Sequence, residues 1–138
     1  MSAAGPVLVD SSVWIECFRP DGEDACRRET AALLIAGRAV TCEVVLAEVL
    51  RGAMTPAAWE AMSSRMGSVS RLSMDGMGIL AGSLARQLEA KGLTLPTTDL
   101  LIAAVAQSHG AAILHRDRHL SRAAEIIGLP EHSLKSGE

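Results

Sequence analysis

A short apolar segment that ends at an acidic residue constrains the fold of this chain more than any other feature. Residues 7–9 read Val-Leu-Val and run directly into Asp10. Three apolar residues bounded in this way are typical of a β-strand buried on both faces, as in parallel sheets. Either Ser11 or Ser12 is placed to cap a helix that begins at Val13. We therefore expect Asp10 at the carboxyl end of a parallel strand, where ligands of open α/β sheets bind.

The rest of the chain alternates between strand and helix patterns. Three further strands are predicted at residues 39–42, 68–72 and 111–114. Helices are predicted at residues 23–36 and 43–51, after Thr55-Pro56, from a cap at Asp75 to Gly92, at residues 99–108 and from Asp117 to about Ile127. Strands that alternate with helices imply right-handed crossovers. The predicted fold class is therefore α/β, with helices on both sides of a central, mainly parallel sheet.

The length and composition fit a single domain. The chain has 138 residues, of which 49% are hydrophobic, enough to bury roughly two thirds of the unfolded surface. We expect one domain over residues 1–138, with its core at about residues 6–127 and a loose polar tail at 130–138. No apolar run approaches the ~20 residues that span a bilayer. Because a signal-peptide pattern is also missing, we expect a cytoplasmic protein with no membrane segment.

Four acidic residues stand out against these elements. Asp10 and Asp117 both follow predicted parallel strands, and Asp99 begins a helix that is apolar on every side. Glu48 is a single carboxylate among six apolar neighbours. Taken one at a time, a turn or a helix N-terminus explains each aspartate, and an ion pair with Arg51 explains Glu48.

Taken together, the four acids predict a site for a divalent cation. Carboxylates that meet at one edge of a sheet repel one another and raise each other's pKa, and a cation between them removes that repulsion. Oxygen ligands without His or Cys at metal spacing favour Mg²⁺ or Mn²⁺ over zinc. Such a site suits phosphodiester hydrolysis by metal-activated water. Ser12 is placed either to orient a ligand or a metal-bound water, or to cap its helix.

Four segments resemble, in order and spacing, the motifs of a known enzyme family. They are VLVDSSVWI at residues 7–15, LAEVLRG at 46–52, TTDLLIAAVA at 97–106 and LHRDRHL at 114–120. These are similar to the motifs of PIN-domain ribonucleases, and most similar to those of the VapC toxins of bacterial toxin–antitoxin pairs. The resemblance implies a three-layer α/β/α sandwich with a five-stranded parallel sheet. It also implies a Mg²⁺- or Mn²⁺-dependent endoribonuclease that cleaves structured RNA such as tRNA or ribosomal RNA.

The resemblance also implies roles for particular residues and partners. Four acids are expected to bind the metal and perform catalysis, and one hydroxyl is expected to support them: Asp10, Glu48, Asp99, Asp117 and Ser12. Members of this family commonly form homodimers and are silenced by a small antitoxin that often places an arginine at the acidic site. We therefore expect RNA, an antitoxin and a second copy of the chain as partners. His119 departs from the pattern, because many relatives carry an acid there.

A receiver-like signalling module is the alternative from another functional class. It too is a small five-stranded α/β domain with an acidic pocket, but it requires an acid pair after the first strand and a lysine after the last. This chain has two serines beside Asp10 and no lysine between residues 92 and 134.

Two groups of residues leave alternatives open. A stripe on one helix either packs in the core or forms a homodimer face: Trp59, Met62 and Met66. Several basic residues either provide solubility or contact RNA phosphates: Arg19, Arg51, Arg116 and Arg118.

Overall fold

Residues 5–134 are described by a computed structural model, and they form one sheet covered by helices. The strands are β1 (Val7–Val9), β2 (Ala39–Thr41), β3 (Ser70–Arg71), β4 (Ala112–His115) and β5 (Glu131–Ser133). The helices in this part of the chain are α1 (Ser11–Phe18), α2 (Asp24–Ile35), α3 (Glu43–Leu50), α4 (Pro56–Gly67), α5 (Met77–Glu89), α6 (Thr97–Ser108) and α7 (Arg118–Ile127). The strand order is β3-β2-β1-β4-β5, and every neighbouring pair is parallel. The predicted α/β/α sandwich with a parallel five-stranded sheet is confirmed.

β1 occupies the centre of the sheet. Its residue Leu8 pairs with Val40 of β2 on one side and with Ile113 of β4 on the other. All three residues of β1 are fully buried, which explains why the strand is apolar throughout rather than alternating. The chain leaves β1 towards one side of the sheet and later returns on the other side. This change of direction opens a crevice beyond the carboxyl ends of β1 and β4.

α6 is the most buried helix near this crevice. Its residues 102–106 are buried, and the helix packs against α3, α5 and β4. It begins at Thr97, two residues before the predicted start at Asp99, because Pro96 occupies the N-cap position. Asp99 consequently lies in the first turn of the helix rather than at its boundary.

Two predicted helix caps are wrong. α1 begins at Ser11, and Asp10 is its cap, because the Asp10 carboxylate accepts the backbone N–H of Ser12. α5 begins at Met77 and is preceded by Gly76, whose φ of 77° belongs to the left-handed region. This left-handed glycine is the N-cap residue, in the place predicted for Asp75, and no side chain caps the helix.

The polar segment after Pro130 is a strand, contrary to the predicted loose tail. Residues 131–133 form β5, which pairs in parallel with β4. Glu131 secures this edge by accepting hydrogen bonds from His115 Nε2 at 2.7 Å and from Ser121 Oγ at 2.9 Å. The folded part therefore continues past residue 127, and the last four residues of the predicted tail, 135–138, lie outside the described residues.

The predicted stripe on α4 is only partly in the core. Met66 is fully buried, Met62 is partly buried, and Trp59 is 50% exposed. The tryptophan thus remains accessible to a partner. Each helix between residues 5 and 134 is too short or too polar to cross a bilayer.

Candidate active site

Asp10 leaves the carboxyl end of β1 and is 5% exposed. Its Oδ2 accepts hydrogen bonds from the backbone N–H of Ser12 at 3.2 Å and from the Ser12 hydroxyl at 2.5 Å. Its Oδ1 is buried and has no hydrogen-bond partner among the described residues. A buried carboxylate oxygen without a partner is costly. Asp10 Oδ1 is therefore suited to bind a cation.

Glu48 lies on α3 and is half-buried. Its Oε1 accepts a hydrogen bond from the Ser11 hydroxyl at 2.8 Å. In the described part of the chain Glu48 forms no ion pair with Arg51. The explanation of Glu48 as the partner of Arg51 is therefore wrong. The two serines after Asp10 thus serve different acids, since neighbouring residues on a helix point in different directions.

Sequence reasoning missed the contact between Ser11 and Glu48. The sequence predicted that either Ser11 or Ser12 caps the helix and gave a role at the site only to Ser12, whereas the cap is Asp10 itself. The available signal was the pair of adjacent hydroxyls beside one acid, which is more polar side chains than a single cap requires.

Asp117 lies between β4 and α7 and is the N-cap of α7. Its Oδ1 accepts the backbone N–H of His119 at 2.7 Å. Its own backbone N–H donates to Nδ1 of the fully buried His115 at 3.0 Å. Because Nδ1 accepts this bond, Nε2 of the same ring carries the proton that is donated to Glu131. The backbone of Asp117 is therefore held from the strand side and from the helix side.

The pKa of Asp99 is sensitive to the charges of the other three acids. The pKa of Asp99 is raised from 3.8 to about 6, first by burial and then by the charges of Asp10, Asp117 and Glu48 in that order, while His119 lowers it. Like charges act strongly only over short distances. The structure therefore places Asp99 close enough to Asp10, Asp117 and Glu48 for their charges to affect its pKa.

The donor set of this space fits a hard divalent cation. All four groups offer oxygen, which Mg²⁺ and Mn²⁺ prefer. Residues 5–134 contain no ready-made cluster of three His, Cys, Asp or Glu ligands. Mg²⁺ does not need one, because it keeps several waters and is usually held by one or two carboxylates. The unpartnered Asp10 Oδ1 and the raised pKa of Asp99 both favour an ion at this position.

Arg19 and Arg116 pair with carboxylates outside the group of four acids. Arg116 directly precedes Asp117, yet it pairs with Glu16 at 3.3 Å and also with Glu23. Arg19 pairs with Glu16 at 3.0 Å. Arg19 and Arg116 therefore form internal ion pairs, a role that neither sequence interpretation assigned to them. Arg51 and Arg118 are exposed, and RNA contact through them stays a prediction.

A family model for the PIN domain matches residues 7–126, a range that includes all four acids. The chain belongs to the PIN-domain family. Ribonuclease VapC11 of Mycobacterium tuberculosis is 32% identical to this PIN-domain chain over 134 residues, which cover 94% of this chain and 99% of the relative. The family membership and this relative place the chain among VapC-type PIN domains.

Solved structures agree with this PIN-domain fold. The DNA-bound VapBC structure from Salmonella typhimurium has a TM-score of 0.75 at 20% identity, covering 94% of this chain and 98% of that one. A toxin–antitoxin complex from Klebsiella pneumoniae has a TM-score of 0.66 at 18% identity, covering 80% and 86%. The receiver-like alternative is wrong, because β1 lies between β2 and β4 here, whereas receiver sheets follow the order 2-1-3-4-5.

Proposed function

We propose that this chain is a Mg²⁺- or Mn²⁺-dependent endoribonuclease and the toxin of a toxin–antitoxin pair, which cleaves structured RNA such as tRNA or ribosomal RNA. The observation that carries the proposal is the group of carboxylates around Asp99, together with the buried and unpartnered Asp10 Oδ1. The relative VapC11, which aligns over nearly the whole chain, is named a ribonuclease, and this supports the reaction class.

The acids and serines have distinct tasks in this mechanism. Asp10, Glu48, Asp99 and Asp117 would hold the ion. When bound, Mg²⁺ or Mn²⁺ supplies Lewis-acid polarisation of the phosphoryl oxygen and a lower pKa for a bound water. Above pH 6 the Asp99 carboxyl is ionised and available to the ion. The two serines fix the carboxylates of Asp10 and Glu48, so that less orientational freedom is lost on binding.

Removal of the metal tests the reaction directly. We expect the purified chain to cleave a structured RNA in the presence of Mg²⁺ or Mn²⁺, to lose cleavage when EDTA is added, and to regain it when excess Mg²⁺ is restored. Initial rates measured on end-labelled tRNA and ribosomal RNA fragments check this. Full-rate cleavage by the wild-type protein in EDTA contradicts the proposed mechanism.

The contact between Ser11 and Glu48 carries a separate prediction. We expect Ser11→Ala to weaken Mn²⁺ binding about tenfold, the lower end of the range for groups that orient metal ligands, because Glu48 loses the hydrogen bond that the Ser11 hydroxyl donates to it. Ser11→Thr keeps the hydroxyl and is the matched control, with affinity near that of the wild type. Isothermal titration with Mn²⁺ measures both. Equal affinities for the alanine and wild-type proteins would show that the contact is incidental.

The partners of the proposed toxin follow from the same site. We propose that a small antitoxin silences the chain by placing an arginine among the four acids, whose negative charges would attract its guanidinium group. The similarity to VapBC and toxin–antitoxin complexes supports such a partner. Loss of inhibition when that antitoxin arginine becomes alanine is the test.

A homodimer is also proposed, with the half-exposed Trp59 as a candidate contact, and sedimentation of Trp59→Ala tests it.

A further inference from the structure

An ion cluster around the buried Glu16 joins α1 to the segment that carries Asp117. Glu16 of α1 is 6% exposed, and its Oε2 lies 3.3 Å from Arg116 Nη1. Its Oε1 accepts the backbone N–H of Glu23 at 3.1 Å. Arg116, whose side chain is 19% exposed, also pairs with the Glu23 carboxylate. These three residues, Glu16, Glu23 and Arg116, are called the α1 clamp below.

The α1 clamp is connected to the acidic site at both of its ends. Glu16 follows Ser12 by four residues, so the two side chains lie on the same face of α1, one turn apart. Ser12 holds the carboxylate of Asp10. At the other end, Arg116 directly precedes Asp117. The α1 clamp therefore connects α1, which follows Asp10, to Arg116, which precedes Asp117. The two ends of this connection are about 100 positions apart in sequence.

The surroundings of the α1 clamp leave it little freedom. A Cβ atom at Gly22 would lie 1.7 Å from the carbonyl oxygen of Glu16, so the turn between α1 and α2 packs directly against the Glu16 backbone. Behind Asp117, the His115 ring accepts that residue's backbone N–H. Buried ion pairs are often no more stabilising than apolar side chains of similar volume. Stability alone is therefore a weak reason for charges at these positions, and orientation of the neighbouring acids is a better one.

We propose that Glu16 and Arg116 are positioning residues that hold Asp10 and Asp117 at the separation at which both serve one metal site. This inference rests on the metal-dependent function proposed for the chain. Neither residue reaches the metal or the RNA in this role. The α1 clamp acts through the backbone of Arg116 and Asp117 on one side and through α1 on the other.

Two variants separate positioning from folding. The double variant E16Q/R116M replaces the pair with neutral side chains of similar size, so no uncompensated charge is left buried. R116K keeps the charge but lacks the planar fork that reaches both Glu16 and Glu23. For each we expect melting temperatures close to that of the wild type, Mn²⁺ affinity reduced about 10–100-fold, and kcat reduced with an unchanged KM for RNA.

Mn²⁺ titration followed by electron paramagnetic resonance measures the affinity independently of cleavage. R71M is the matched control, because it breaks an exposed ion pair with Glu43 at 2.9 Å and leaves the α1 clamp intact; its affinity should equal that of the wild type. A folded E16Q/R116M that binds Mn²⁺ as tightly as the wild type overturns the inference, and if that variant does not fold, wild-type affinity in R116K overturns it. Failure of the wild type itself to bind Mn²⁺ instead rejects the proposed function.

Discussion

Asp10→Asn is expected to reduce RNA cleavage by at least about 10²–10³-fold, the range seen when one preorganised electrostatic group is removed from an active site. The amide is nearly isosteric and can still accept the two hydrogen bonds from Ser12, so the fold is preserved. It removes the negative charge from a buried group whose Oδ1 has no protein partner among the described residues. The loss should therefore appear in the rate of cleavage rather than in the folded fraction.

Initial rates at saturating Mg²⁺, with circular dichroism as a check on folding, measure this effect. Asp75→Asn is the matched control, because Asp75 is an exposed acid outside the group of four, and we expect it to cleave like the wild type. Glu48→Gln, Asp99→Asn and Asp117→Asn should be impaired in the same way as Asp10→Asn. An Asp10→Asn protein with wild-type activity would remove this residue from the mechanism.

Asp99→Asn is expected to stabilise the metal-free protein at pH 7 while it impairs cleavage as Asp10→Asn does. Burial and then the neighbouring carboxylates raise the pKa of Asp99 from 3.8 to about 6. The folded state therefore binds a proton more tightly than the unfolded state, and the free energy of unfolding falls as the pH rises from about 4 to about 6. The amide never ionises and escapes this penalty. Allowing for solvent at this half-buried carboxyl, the gain is about 1–2 kcal/mol, or roughly 3–8 °C in Tm.

Thermal melts in EDTA across pH 4 to 8 check the sign of this effect. The two proteins should melt together near pH 4, where the wild-type carboxyl is protonated, and diverge as the pH passes 6. Added Mn²⁺ should stabilise the wild type more than the variant, because only an intact site gains free energy from the ion. If Asp99→Asn melts at or below the wild-type temperature at pH 7 in EDTA, the carboxylates do not repel one another as described.

The sequence predicted most reliably the strands and helices that are apolar on every side, because such segments are buried. The uniformly apolar residues 7–9 predicted a central parallel strand, and the apolar helix around Ile102 predicted a buried one; both are confirmed. The position of Asp10 and Asp117 after such strands was enough to place them at one sheet edge. Local pattern and the geometry of parallel sheets carried this part of the prediction.

Features that depend on distant partners escaped sequence reasoning. Glu16 and Arg116 are 100 residues apart and look like ordinary surface charges until the fold brings them together. The strand β5 is short and polar, and it pairs along an edge, with Glu131 bonded to the buried His115. Neither feature has a hydrophobic period of its own from which it could be predicted.

We propose that four carboxylates, two of them just after β1 and β4, share a divalent cation. Anomalous diffraction from crystals of the wild-type protein grown with Mn²⁺ tests it most directly. We predict a manganese peak in contact with Asp10 and Asp99 and near Glu48 and Asp117, which is absent from crystals of Asp10→Asn. Manganese bound only elsewhere on the surface, with these four side chains free of it, would contradict the claim.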